Sequence, residues 1–256
     1  MSAANNIALT LKALHQRAHK PLVLANVFDI LSARTVAAIP AAEALATASY
    51  GVARAADTTD DDLTLELNLS AVKGIATVAK ESGKPLSVDI QDAYGARLEE
   101  AIDKLLDMGV SGVNLEDCDK SGKLYEADAA TSRIQRVLDV ARKRGVPDFV
   151  VNARCDVLVH GRGLSEVLSR GKKYLQAGAT TVFVWGGGRG VSTDEVKQMV
   201  KAFDGRLNVL LKQNGLTVRE LAKLGVARIS VGPRLQSAGL AAYKREAETI
   251  FNPDNE

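Results

Sequence analysis

Three segments of the chain end an apolar run in polar side chains: Val88-Asp89-Ile90-Gln91-Asp92, Asn114-Leu115-Glu116-Asp117 and Asn152-Ala153-Arg154-Cys155-Asp156. Carboxylates set side by side repel one another unless a proton or a cation intervenes. Hard oxygen donors suit Mg2+, with Mn2+ as the other candidate. Taken singly, each acid is a helix cap or a rim salt bridge; three in succession point to a metal-centred site. No histidine falls in the cluster, which argues against zinc hydrolysis and removes the usual general base. The chemistry is then left to a cation and to fixed donors that stabilise developing negative charge. Thr47-Ala48-Ser49-Tyr50-Gly51 offers a hydroxyl and backbone amides to an oxyanion or carboxylate, or else closes an ordinary turn. Residues 52–62 then read as a long loop with Arg54, Asp57 and the run Asp60-Asp61-Asp62, a length that suits a lid or a catalytic role. Trp185-Gly186-Gly187-Gly188-Arg189-Gly190 is either an anion-binding loop or a flexible rim. His160 has no sequence partner and reads as a surface residue, and His15 and His19 are given no role.

Something must bring these strand ends to one rim. Short apolar, β-branched runs recur at 21–28, 43–49, 84–90, 112–117, 148–156, 180–186, 207–213 and 227–233. They are nearly continuous rather than alternating, as strands covered on both faces should be. Amphipathic stretches at helical spacing lie between them, clearest at 96–108, 127–144, 164–177, 193–203, 217–224 and 235–251. Gly109, Gly178 and Gly225 stand where left-handed helix caps are wanted; Ser192 with Glu195 and Thr217 with Glu220 have capping-box spacing. Eight strand–helix units predict a single α/β domain over 1–256, a (β/α)8 TIM barrel. Residues 1–20 form an N-terminal helical extension and 235–256 a C-terminal helix and tail. The doubly wound alternative lacks its nucleotide loop: there is no GxGxxG after the first strand and no GxxxxGK[ST].

The bulk composition narrows the partners. The 256 residues are 46% hydrophobic, 25% charged and 4% aromatic, with 33 basic and 31 acidic side chains. Interspersed charge of net +2 and few aromatics exclude a nucleic-acid binder. No apolar window is long enough for a membrane span, and the first 20 residues lack a secretory core, so a cytoplasmic location is expected. Cys118 and Cys155 are expected as reduced thiols.

Between residues 21 and 240 the stations fall in an order that resembles the isocitrate lyase/phosphoenolpyruvate mutase superfamily. Its carriers are Asn26-Val27-Phe28-Asp29-Ile30-Leu31-Ser32-Ala33-Arg34, Ser49-Tyr50-Gly51, Asp89-Ile90-Gln91-Asp92-Ala93-Tyr94-Gly95, Gly112-Val113-Asn114-Leu115-Glu116-Asp117, Asn152-Ala153-Arg154-Cys155-Asp156 and Gly225-Val226-Ala227-Arg228-Ile229-Ser230-Val231-Gly232-Pro233. The resemblance implies a barrel whose last helix is exchanged between subunits of a homodimer or homotetramer, Mg2+, and a small 2-oxo acid. It implies Asp89 as the direct metal ligand and Glu116 as a carboxylate acting on the metal. Ser49, Tyr50 and Gly51 would grip the 2-oxo acid, Arg154 would bind substrate and balance an enolate, and Asp57 would be the loop aspartate of phosphoryl chemistry. Gln91 occupies the second metal-site position, where a carboxylate is expected, and Asp92 is the acid that could compensate. The lyase signature Lys-Lys-Cys-Gly-His is absent; Cys118 lies near that loop without its context and reads as a bystander, while Lys120 or Lys123 could close over a substrate. The expected activity is Mg2+-dependent cleavage of a C–C bond in a 2-oxo dicarboxylate such as oxaloacetate, through an enolate. The alternatives are P–C chemistry on phosphonopyruvate or a carboxyphosphonoenolpyruvate-like acid, and a catalytically weakened binding protein.

Overall fold

The computed structural model of the chain describes residues 2–252; Met1 and residues 253–256 of the expected tail lie outside them. The strands are β1 (Leu22–Leu24), β2 (Asn26–Val27), β3 (Leu45–Thr47), β4 (Leu86–Asp89), β5 (Gly112–Glu116), β6 (Val150–Cys155), β7 (Thr181–Val184), β8 (Leu207–Leu210) and β9 (Arg228–Ser230). All pairings are parallel, in the order β1-β9-β8-β7-β6-β5-β4-β3-β2.

The nine strands are the expected eight, because the run at 21–28 is divided at Ala25. Its first part pairs Leu24 with Ser230 and its second pairs Asn26 with Ala46. The two ends of the sheet are therefore joined through a single residue, and the sheet closes as a TIM barrel. Asn26 spans the division. Its amide donates to the Thr47 carbonyl at 2.8 Å, while its Oδ1 accepts from the backbone N–H of Val231 at 3.0 Å and of Gly232 at 2.8 Å.

Among the described residues ten α-helices accompany the strands: α1 (Ala3–Leu14), α2 (Ile30–Ala37), α3 (Ser49–Ala55), α4 (Leu65–Glu81), α5 (Leu98–Asp107), α6 (Ala127–Lys143), α7 (Leu164–Gln176), α8 (Thr193–Phe203), α9 (Val218–Leu224) and α10 (Arg234–Phe251). The capping boxes at Ser192–Glu195 and Thr217–Glu220 form as expected, and Gly109, Gly178 and Gly225 all take left-handed φ. Apolar faces of α4 to α8 pack on the outer strand surfaces and make the main core, with Val72, Ile102, Val137, Val167 and Val196 completely buried. α1 closes the N-terminal mouth: Leu11 is completely buried against Leu22, Leu24, Ala44, Ala46 and Val150. Gly112 is required beneath it, since a Cβ there would lie 2.7 Å from Val150 and 3.1 Å from Leu11. Among the described residues no helix is long and apolar enough to cross a membrane.

One expectation changes. The long loop placed at 52–62 begins as α3, so only residues 56–64 connect α3 to α4. The Ser49-Tyr50-Gly51 segment is the first turn of a helix rather than an open turn.

Candidate active site

Inside the C-terminal half of the barrel, polar side chains replace the branched aliphatics that usually fill such an interior. A buried polar group costs free energy unless it is hydrogen-bonded, and these are bonded in one direction. The Thr181 hydroxyl donates to Asn152 Oδ1 at 2.6 Å, Asn152 Nδ2 to Asn114 Oδ1 at 2.7 Å, and Asn114 Nδ2 to Asp89 Oδ1 at 3.0 Å. This relay from β7 through β6 and β5 thus ends on the carboxylate that closes β4. Asp89 Oδ2 accepts from the Ser49 amide at 3.0 Å, its backbone N–H donates to the Thr47 hydroxyl, and its carbonyl accepts from Asn68 Nδ2. Asp89 is fixed on every side yet lines an inner cavity of about 390 Å3, together with Asn26, Ser49, Asn114 and Arg228.

A wider outer cavity, of about 850 Å3, lies above it and is lined by Gln91, Glu116, Cys118 and His160. Asp60, Arg154 and Trp185 line both spaces and form the waist between them. Arg154 is held there from three directions. Its Nη1 donates to Glu116, its Nε donates to Asp156 at 2.7 Å, and its guanidinium lies over the Trp185 ring, 4.1 Å from the centroid. Two carboxylates keep Arg154 firmly cationic, its pKa raised even though burial pulls the other way.

Four acids, Asp60, Asp89, Glu116 and Asp156, share this guanidinium. Burial pushes the Asp60 carboxyl up to about 6, with the charge of Asp89 adding to the rise and the Ser49 hydroxyl and Arg154 offsetting part of it. Burial likewise raises Glu116 well above the usual carboxylate range; Arg154 opposes the rise, and Asp89, Asp156 and Asp60 reinforce it. Negative charge among hard oxygens that Arg154 and Arg228 offset only in part is the setting a divalent cation relieves. Among the described residues no three His, Cys, Asp or Glu side chains converge closely enough to cage an ion. A cation here would take Asp89 and complete its shell largely with water, which is the habit of Mg2+. The donor set fits a singly anchored Mg2+, with Glu116 and Asp60 within the same charged rim.

The structure brings Ser49, Tyr50, Asp89, Gln91, Glu116 and Arg154 to these cavities and leaves two expected residues elsewhere. Gly51 turns away from the inner cavity, because the helical turn of α3 seats it on Phe28, with its carbonyl accepting from Gln236 Nε2 at 2.9 Å. Its amide bonds to the Ala48 carbonyl and that of Ser49 to Asp89, so these two amides are already engaged. Asp57 follows the Ala56 cap of α3 in a left-handed, exposed position, and it is Asp60 that reaches the waist. Gln91 lines the outer cavity with its Nε2 turned to Asp60, donating to the Asp60 carbonyl at 2.7 Å and to Asp60 Oδ1 at 3.2 Å. Asp92 does not compensate, since it accepts from the Tyr125 hydroxyl at 2.8 Å and pairs with Arg133. Asp117, next in sequence to Glu116, faces the helical layer and accepts from the Tyr174 hydroxyl at 2.7 Å.

Residues missed from the sequence complete the picture. Asp60 was visible only as one of three equivalent acids, and Trp185 only as the start of a glycine-rich loop. That loop is compact: a Cβ on Gly186 would lie 1.9 Å from the Gly190 carbonyl oxygen, and Arg189 is spent on Glu195. Arg228 enters the interior from β9, with weak contacts of 3.4 and 3.5 Å to Ser87 and an unpartnered Nε. Burial lowers its pKa to about 10, and Asp89 works against that fall. Cys118 and His160, read as a bystander and a surface residue, meet at 3.6 Å on the outer cavity. Burial and nearby carboxylates push the Cys118 thiol up to about 12, so it stays protonated at neutral pH.

The chain is similar in sequence and fold to known proteins. The phosphoenolpyruvate phosphomutase family matches residues 11–251 of the chain. An uncharacterised protein of Mycobacterium tuberculosis is 30% identical over 90% of this chain and 84% of its own length. Phosphonopyruvate hydrolase of a Variovorax species is 25% identical over 66% of this chain and 61% of its own. The crystal structure of a candidate phosphonomutase from Burkholderia cenocepacia J2315 superposes with a TM-score of 0.85, at 33% identity, covering 98% of this chain and 100% of the other.

Proposed function

Because the chain belongs to the phosphoenolpyruvate phosphomutase family, we propose that it cleaves the bond to C3 of a small, doubly anionic 2-oxo acid, with oxaloacetate as the leading substrate. The observation that carries this reading is the waist, where Asp60 and Arg154 face each other's space beside Asp89. An inner cavity of about 390 Å3 lies at the small end of ligand sites and suits a four-carbon diacid. Mg2+ held at Asp89 would supply Lewis acidity toward the 2-oxo acid oxygens. Arg154, immobilised by Glu116, Asp156 and Trp185, binds a substrate carboxylate and balances the enolate charge as C3 loses its substituent. Asp60, whose pKa lies near 6, is suited to deliver or accept a proton at its carboxyl oxygen near neutral pH. Mixing the protein with Mg2+ and oxaloacetate, and following pyruvate, oxalate and acetate, tests the assignment. Loss of oxaloacetate above the Mg2+-only rate is expected; an unchanged rate overturns it.

A second reading has its own observation. Asp60 stands in the cavity as a carboxylate able to receive a phosphoryl group, and phosphonopyruvate hydrolase is among the relatives. Release of phosphate from phosphonopyruvate, with oxaloacetate untouched, would favour P–C cleavage. A protein that binds oxalate only with Mg2+ but turns over neither acid would be a binding member of the family.

The working form is a homodimer or homotetramer that exchanges α10. In support, Gln236 is the one buried residue of α10, while Leu240, Tyr243, Ile250 and Phe251 are all more than half exposed. Sedimentation at micromolar concentration should show at least a dimer, and ending the chain at Gly239 should give a monomer; an intact chain that sediments as a monomer would refute the exchange.

A further inference from the structure

Gln91 occupies an unusual place. It follows Asp89 in a turn where Gln91, Ala93 and Tyr94 all have φ between 50° and 60°, a region that costs a side chain about 1 kcal/mol or more. The turn lets one residue touch three parts of the site. Its side-chain amide donates twice to Asp60, its carbonyl accepts from the Glu116 N–H at 2.8 Å, and its own N–H points at Asp89 Oδ1 at 3.4 Å. The side-chain contacts are the consequential ones. Asp60 belongs to the connection 56–64, whose internal bonds run Thr58 N–H to Ala53, Asp62 N–H to Thr59 and Leu63 N–H to Asp60. None of these bonds ties the connection to the strand ends; Leu63 anchors it to α3 by burial against Val52 and Ala53, the Ser49 hydroxyl meets Asp60, and the Gln91 amide joins it to the turn after β4.

Chemistry dictates which side chain can do this. Both atoms of Asp60 that face residue 91 are acceptors, so a carboxylate at 91 would set acceptor against acceptor and add a fifth acid to the rim. It could share the space with Asp60 only when protonated or bridged by a cation. A neutral amide supplies the N–H that this geometry needs and brings no charge.

We infer that Gln91 is a positioning residue that latches the 56–64 connection, and with it Asp60, over the cavity, so that the lid stays closed whether or not a divalent cation is bound. The inference rests on reading the waist as the reactive site, but its test requires no substrate.

Amide hydrogen exchange of the peptide covering residues 56–64, normalised to that of α8, provides the test on the full-length protein in EDTA and in excess Mg2+. The wild-type peptide should exchange at the same slow rate in both. Gln91→Ala should exchange about fivefold to tenfold faster in both, the effect of losing one or two hydrogen bonds. Gln91→Glu should exchange fast in EDTA and regain the wild-type rate with Mg2+, a rescue that a merely space-filling role for residue 91 does not produce. Wild-type protection that appears only with Mg2+ would overturn the latch, as would wild-type exchange in Gln91→Ala. If exchange behaves as expected while no 2-oxo acid is turned over, the latch stands and the proposed reaction falls.

Discussion

At the N-terminal mouth of the barrel, α1 buries His15 beside Leu11; at the C-terminal mouth, α3 and the 56–64 connection half-bury Asp60 beside Asp89. Both mouths thus put ionisable groups out of water, and they dispose of the charge in opposite ways. Below, burial drives His15 down to about 3, the nearby Arg228 and Arg17 add to the fall, and the ring stays neutral while bonding to the Leu11 carbonyl at 2.7 Å. The acid of that end, Asp148, is settled by Lys12 and Asn5, whose hydrogen bonds hold its carboxyl below the usual range. Above, burial pushes Asp60 and Glu116 up, and the charge of the neighbouring acids adds to the rise against the opposing pull of Arg154. One mouth is electrostatically finished and serves stability. The other carries charge that a ligand must complete, as expected where strain and perturbed groups collect at a functional site.

The largest effect that should separate the two ends is on turnover. Asp89→Ala is expected to lower kcat by at least about 10²–10³-fold, and Leu11→Ala to leave kcat unchanged, as measured by oxaloacetate consumption with Mg2+. Next comes pH. A neutral, buried His15 contributes stability that is present above pH 6.5 and drains away as pH falls toward 3, roughly 4 kcal/mol across that window. Denaturant melts at pH 7 and pH 4 should show this loss in the wild type and not in His15→Phe; equal losses in both proteins would mean that the N-terminal mouth is not finished. Leu11→Ala should cost about 3 kcal/mol in the same melts, because it opens a cavity under β1 and β6.

The smallest effect has the opposite sign and belongs to the upper mouth. The raised pKa of Asp60 means that the folded state holds a proton the unfolded chain has released. Its ionised form therefore weighs against folding, and stability falls as pH rises from 3.8 toward 6. In EDTA at pH 8, Asp60→Asn should be about 1–2 kcal/mol more stable than the wild type, with no gain at pH 3. The same variant should lose about 10²-fold or more in kcat. A variant that is destabilised at pH 8 would place Asp60 among the finished charges.

Much of this was legible in the residues. Pleat alternation puts Asn114 with Glu116, and Asn152 with Arg154, on one face and Asp117 on the other, as the structure shows. Parity fails past the strand ends. Gln91 and Asp92 lie in a left-handed turn, so spacing from Asp89 no longer fixes direction; Asp92 went to Arg133 and Gln91 to Asp60. In the connection after α3, Asp57 and Asp60 are equal as letters, and only the path of the chain over the barrel exposes one and directs the other inward.

By itself the sequence determined the eightfold alternation, hence the closed parallel sheet, and the family to which the strand-end motifs belong. Those properties follow from local periodicity and short-range caps, which act through neighbours along the chain. Tertiary structure alone decided how the charges are shared: one guanidinium among four acids, a neutral histidine below, and an amide reaching across to an aspartate 31 residues away. Burial and through-space Coulomb interactions set those outcomes, and both depend on which distant segments the closing barrel brings within a few ångströms.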